Sequence, residues 1–326
     1  MAYSSRALTG KLLLSFLLAL ATEGLAQAGP LRSELFVDGK PDSVLRAGEP
    51  AKLQFSFLDS ETGKMPHHFH EMHAKPMHLI IVSEDLSTFA HVHPSEKHHS
   101  KKPFELTVNS SSNDPDNFQL ASAMPLSGKY FLFGEVMPMS YGMLLFSYDA
   151  RAEGPARALA PLVVDPVESD GSIVKYFSAN GAAVARSSEA RYRTKLTLEP
   201  VDHCNTVLPK IYIELSEKVN NRFIPVTDLD TWLESYAHAI VVGAAGETAA
   251  AKIVQHLHAV WPLPTGDPSQ DERGPYLELL AHSHGQSTPT DRYRSWVQIK
   301  HRGHVLTLSY TFDWKLEKMR PRKLRC

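Results

Sequence analysis

The chain carries one segment twice, and this limits it to folds that half the chain can build. Met77-His78-Leu79-Ile80-Ile81-Val82 aligns with Ala237-His238-Ala239-Ile240-Val241-Val242. The first copy continues to His91-Val92-His93 and the second to His256-Leu257-His258. Each reads as a histidine, an apolar run, a turn and His-x-His. The second turn contains GAAGETAAA and is five residues longer. Such an insertion is tolerated at a loop tip, because closure entropy grows slowly with length.

The correspondence extends outward. Phe36–Leu58 and Arg191–Leu215 each read as two alternating strands ahead of the histidine segment. Downstream, Ser127–Tyr148 corresponds to Thr290–Phe312. Both have the pattern of a closing hairpin, turning at Ser140-Tyr141-Gly142 and at Arg302-Gly303. The stretch Asp230–Ala237, DTWLESYA, reads as one helical turn. Regular short strands separated by turn residues predict an all-β chain: two tandem antiparallel β-sandwich domains, Ig-like or cupredoxin-like, of ~100–140 residues each.

The expected boundaries are residues 1–28 for a signal peptide, 29–165 for the first domain, 166–316 for its diverged repeat and 317–326 for a basic tail. Arg6 and Lys11 precede the apolar run LLLSFLLALA, and Ala26-Gln27-Ala28 forms an A-x-A cleavage site. The apolar run is shorter than the ~20 residues of a membrane span. The mature chain is therefore expected to be exported, periplasmic or extracellular, without a span. The formal charge of −2 gives no reason to expect nucleic acid. Cys204 and Cys326 are the two cysteines and make no disulfide framework; they pair only if the tail folds back.

Histidine is abundant, with 17 residues. Alternation along a strand puts His91 and His93 on one face. A turn at Glu84-Asp85-Leu86-Ser87 pairs Ser83 with Thr88, and counting outward pairs His78 with His93. In the second copy, a loop from Gly243 to Ala251 pairs Val242 with Lys252 and His238 with His256. Two triads result, His78/His91/His93 and His238/His256/His258. Neutral imidazole ligates Zn, Cu, Fe and Ni, and three such ligands leave a fourth position. Met77, His70, His73 and Met72 are additional candidate ligands. His67, His68, His98 and His99 make the first copy His-rich, a composition that favours metal. Met137, Met139 and Met143 in its closing hairpin favour copper over zinc, since thioethers suit Cu(I). The second copy adds His282, His284, His301, His304 and His203 beside Cys204, without the His-Cys-Met set of a blue-copper site.

Lys75-Pro76-Met77-His78-Leu79, then Asp85-Leu86, then Phe89-x-His91-x-His93-Pro94, resembles the signature of a family of exported bacterial proteins with tandem Ig-like or cupredoxin-like domains. The second copy is similar to the partner repeat of that family: Asp228-Leu229, Trp232-Leu233, His238-Ala239 and His256-Leu257-His258, with Ala259 where the first copy has Pro94. The resemblance covers most of the mature chain. It implies a heavy-metal- or copper-associated protein.

Four readings follow. The first is an exported copper or zinc protein acting as buffer, carrier or sensor, with a periplasmic or membrane protein as partner. The second is a non-catalytic interaction or structural module whose histidines bond one another. The third is a metalloenzyme with Glu71 or Glu84 as base, although no HExxH and no Gly-x-Ser-x-Gly is present. The fourth, compatible with the first two, is pH sensing, since clustered histidines of pKa ~6.5 charge and repel in mild acid.

Overall fold

A computed structural model describes residues 31–41, 44–66, 68–95, 102–139, 141–203, 206–252, 254–262, 264, 271–281, 292–314 and 322–323. The signal segment, both cysteines, His67, His98, His99, His282 and His284 lie outside these residues, as does most of the tail. Arg322–Lys323 is a short strand parallel to Val201-Asp202.

The chain is all β, in two sandwich-like halves. In the first, Leu31–Val37, Ala51–Asp59 and Phe104–Val108 form a three-stranded antiparallel sheet. It faces a six-stranded sheet ordered Val44–Arg46, Leu144–Glu153, Gly128–Pro138, Met77–Ser83, Phe89–Val92, with Phe69–His70 on the flank of Gly128–Pro138. Phe55, Phe57, Leu79, Ile81, Val92, Phe104 and Leu132 fill the space between them. In the second half, twelve strands join one strongly curled sheet. It runs from the hairpin Tyr192–His203/Thr206–Val219 through Tyr276–Ala281 to Val254–Trp261, Ala237–Gly243 and the closing pair Arg292–His301/His304–Asp313. Its core holds Leu196, Ile213, Ala239, Val241, Leu257, Val297 and Tyr310.

The duplicated histidine strands explain how the halves meet. Met77–Ser83 and Ala237–Gly243 are buried along their whole length. A strand buried on both faces needs two partners, and alternation sorts them. Leu79 and Ile81 enter the first core, and Ala239 and Val241 the second. Ile80, Val82, Ile240 and Val242 turn the other way. They pack with Phe131, Phe133, Leu86, Ala249, Val254 and Trp296 into a third apolar cluster between the halves. The ring of Phe89 stacks on that of Trp296, with centroids 4.6 Å apart and planes 9° apart.

Two expectations are corrected here. Asp230–Ala237 is not a helical turn. Leu229–Asp230 is a short strand, and Trp232–Ser235 forms a tight turn with Leu233 and Glu234 at φ 50° and 59°. The second hairpin pairs His238 with His258, Ile240 with His256 and Val242 with Val254, two residues off the counted register. The loop holds more residues than counted, including a short 3-10 turn at Ala249–Ala251. A shift by two keeps every side chain on its face, so the histidines still gather.

Candidate metal centre

The first hairpin has the register its four-residue turn dictates. Leu79 faces Val92, Ile80 faces His91 and Val82 faces Phe89. The main-chain N–H of Ser83 donates to the Thr88 carbonyl at 3.2 Å. His78, His91 and His93 share a face and are each at most 3% exposed. His238, His256 and His258 repeat the arrangement, at 9% exposure or less. Each triad can hold a metal ion: one ring nitrogen from every member lies within 4.8 Å of those of the other two.

The partners of the rings fix which nitrogens carry protons. A tight turn at Met72–Lys75 places the Met72 carbonyl 2.7 Å from His78 Nε2. A carbonyl only accepts, so Nε2 carries the proton and Nδ1 is bare. The turn at Trp232–Ser235 does the same to His238, whose Nε2–H donates to the Trp232 carbonyl at 2.9 Å. Both turns hold non-glycine residues in the left-handed region: His73 at φ 49°, Ala74 at φ 62°, Leu233 and Glu234. Such strain gathers where surrounding structure enforces it, often at functional sites.

The middle histidines are held from the opposite half. The main-chain N–H of His91 donates to Gln119 Oε1 at 2.9 Å, which fixes the orientation of that amide. Gln298 Nε2 donates to the same oxygen at 3.0 Å, so Gln298 Oε1 must face His91 Nδ1, at 2.9 Å. His91 therefore donates from Nδ1, and its Nε2 is bare. In the second triad, His256 Nδ1–H donates to the Glu135 carboxylate at 2.6 Å. Glu135 lies opposite His78 on the neighbouring strand, and Gln298 lies opposite His238. The two therefore hold equivalent places, and each reaches across the seam.

Bare lone pairs thus point at one another. His78 Nδ1 and His91 Nε2 are 3.0 Å apart with no proton left to share. Both ring nitrogens of His93, Nδ1 of His238 and Nε2 of His256 are buried without a hydrogen-bond partner. A positive centre resolves this, either a proton or a metal ion. Burial works against the proton. It lowers the His78 pKa to about 3, helped by His91, and that of His91 to about 4. Burial, then neighbouring imidazoles, also pushes His93, His238, His256 and His258 well down. The 3.0 Å separation is close to the ~3.3 Å between two imidazole nitrogens bonded at ~2.0–2.1 Å to one tetrahedral ion. The donor set therefore fits a metal.

Beside the rings lies a cavity of about 310 Å³ lined by Glu71, Met72, His73, His78, Glu135, Met137, Met143, His256 and His258. His73 joins the triads, its ring stacked on His258 with centroids 3.6 Å apart. The other proposed extra ligands do not join them. Met77 is fully buried in the first core, on the face opposite His78, and its Cε packs on Gly134. His70 is exposed on the short strand beside Met137. Met72 holds His78 through its carbonyl and is one of the residues of the cavity wall. His301 is buried elsewhere, bonded to Tyr192 and Asp228, while His68 and His304 are exposed. Of the two acidic candidates, Glu71 lines the cavity and Glu84 sits at the far end of the hairpin, where it accepts from the main chain of Lys129. Glu135, Gln298, Gln119 and the two carbonyls were missed in the sequence. A signal was present: Glu135 and Gln298 occupy matching positions in the aligned closing hairpins.

A family model described as a domain of unknown function (DUF8832) matches the chain twice, over residues 35–153 and 195–315. No curated protein matches at a significant level. Among solved structures, one reported under "Structural basis for the promiscuous specificity of the carbohydrate-binding modules from the beta-sandwich super family" is 8% identical. The match covers 87% of this chain and 98% of that one with a TM-score of 0.20, too low to carry any argument.

Proposed function

This chain belongs to the DUF8832 family, which it matches over both repeats, and we propose that it is an exported protein that binds copper through its two histidine triads. The observation that carries the reading is that His78, His91, His238 and His256 each commit one N–H to a carbonyl, amide or carboxylate acceptor and keep the other nitrogen bare and buried within the triads. Metal-ligating histidines are ordinarily oriented in this way. Copper is favoured over zinc by the cavity wall, where Met72, Met137 and Met143 offer soft thioethers beside the rings. Export rests on the charged, apolar and A-x-A pattern of residues 1–28. The role is that of a buffer, carrier or sensor, not a catalyst.

The test is metal content and affinity of the chain from Gly29 to Cys326 with Cu(I), Cu(II) and Zn(II). It includes the triple variants His78→Ala/His91→Ala/His93→Ala and His238→Ala/His256→Ala/His258→Ala. Tight, stoichiometric binding that falls in each triple variant while the circular dichroism spectrum persists supports the reading. Weak, non-stoichiometric binding that ignores both sets of substitutions refutes it.

A further inference from the structure

The two triads are separate in sequence and come from different halves, yet the packing between them makes no distinction of membership. Within the first triad, ring centroids are 5.3, 4.9 and 4.8 Å apart. Within the second they are 5.7, 4.8 and 4.3 Å apart. Between triads, His91 lies 4.9 Å from His256, and His78 lies 5.3 Å from it. His73, from the first half, stacks on His258 of the second at 3.6 Å and stands edge-on to His238 at 5.7 Å. Seven imidazoles thus form one continuous group across the seam.

We infer that the triads form a single paired-metal centre, with two ions held side by side by ligands from both halves. This rests on the metal-binding reading above. Rings of the two triads stand against one another, so ions held on the two sets of nitrogens would be neighbours, as in paired-metal sites. The surroundings suit two charges. Glu135, 3% exposed, reaches both triads: it is bonded to His256, lies opposite His78 on the neighbouring strand, and shares the cavity wall with His78, His256 and His258. A buried carboxylate beside both sets of rings attracts cations there. The cavity borders both triads at once, through His78 on one side and His256 and His258 on the other. It therefore gives both ions one shared approach from outside.

The experiment loads the chain from Gly29 to Cys326 with two equivalents of Cu(II) and compares copper content with the electron paramagnetic resonance spin count. A paired centre gives a spin count well below the copper content, or a half-field transition. The variant His238→Ala/His256→Ala/His258→Ala should bind one equivalent and recover the full spin count per copper. Two tightly bound ions with a full spin count and no half-field signal in the wild-type chain would overturn the pairing while leaving the metal reading intact. A single equivalent shared by all six histidines would also overturn it. Absence of stoichiometric binding would overturn both. The wild-type spin count decides the matter even if the variant fails to fold.

Discussion

Glu135 accepts a hydrogen bond from His256 at 2.6 Å, although the two residues lie 121 positions apart and in different halves. Gln298 and His91 repeat the relationship in the opposite direction at 2.9 Å. Each half therefore orients a histidine of the other.

The first prediction follows from that exchange. Glu135→Leu should weaken metal binding at the His238/His256/His258 triad by about 10–100-fold, the usual effect of losing a ligand's outer partner. Gln298→Leu should act on the first triad instead. Isothermal titration with Cu(II) into each variant, made in the background of the opposite triple alanine, reads one site at a time. A loss confined to the variant's own half would contradict the crossed arrangement.

Acid should destabilise the metal-free protein. In the folded state His78 and His91 are lowered to about 3 and about 4, below the ~6.5 of an unfolded chain. The unfolded chain therefore binds more protons between those values. Stability is fully present above pH ~6.5 and falls as the pH drops toward 4 and then 3, by about 1.4 kcal/mol per pH unit for each such histidine. Urea midpoints measured from pH 7.5 to 4 check this. A flat profile across that range would show that the rings are not held neutral.

Trp296 is a seam residue, 4% exposed and stacked on Phe89. Trp296→Ala should cost about 3–5 kcal/mol, the range for large aromatic truncations in cores. It should also lower metal affinity at both triads, whereas Trp296→Phe should retain most of both. Urea unfolding followed at several wavelengths, with metal titration on the same samples, tests the pair of effects together.

Gly246 lies in the extended loop of the second hairpin at φ 95°, and a Cβ there would meet the Ala251 carbonyl oxygen at 2.7 Å. Gly246→Ala should cost roughly 1–3 kcal/mol through backbone strain. Gly303, at φ 78° with open space around it, should lose less on the same change, about 1–2 kcal/mol. Thermal denaturation of the two variants ranks them, and the reverse order would disagree with the loop geometry.

Period-two alternation and the internal repeat made the β architecture and both triads legible in the sequence. The first hairpin was counted correctly because a four-residue turn leaves one register. The second was missed by two residues because a long loop leaves several, and parity alone protected the facing of its histidines. Met77 was misread for a simpler reason. It is the immediate neighbour of His78, so alternation sends it to the opposite face, into the core. The crossed partners were hidden because sequence order says nothing of how two cores lie against each other. The apolar residues Ile80, Val82, Ile240 and Val242 carried a hint, since a strand with no polar face must be covered twice.

The seam obeys the reciprocity of a two-fold dimer: a residue of one copy touches a second position of the other, and the reverse contact exists as well. Here both copies are on one chain. Bringing the seven rings together is therefore an intramolecular closure, governed by the effective concentration that the connecting segment imposes. The centre should survive dilution to levels at which a pair of separate chains would have come apart.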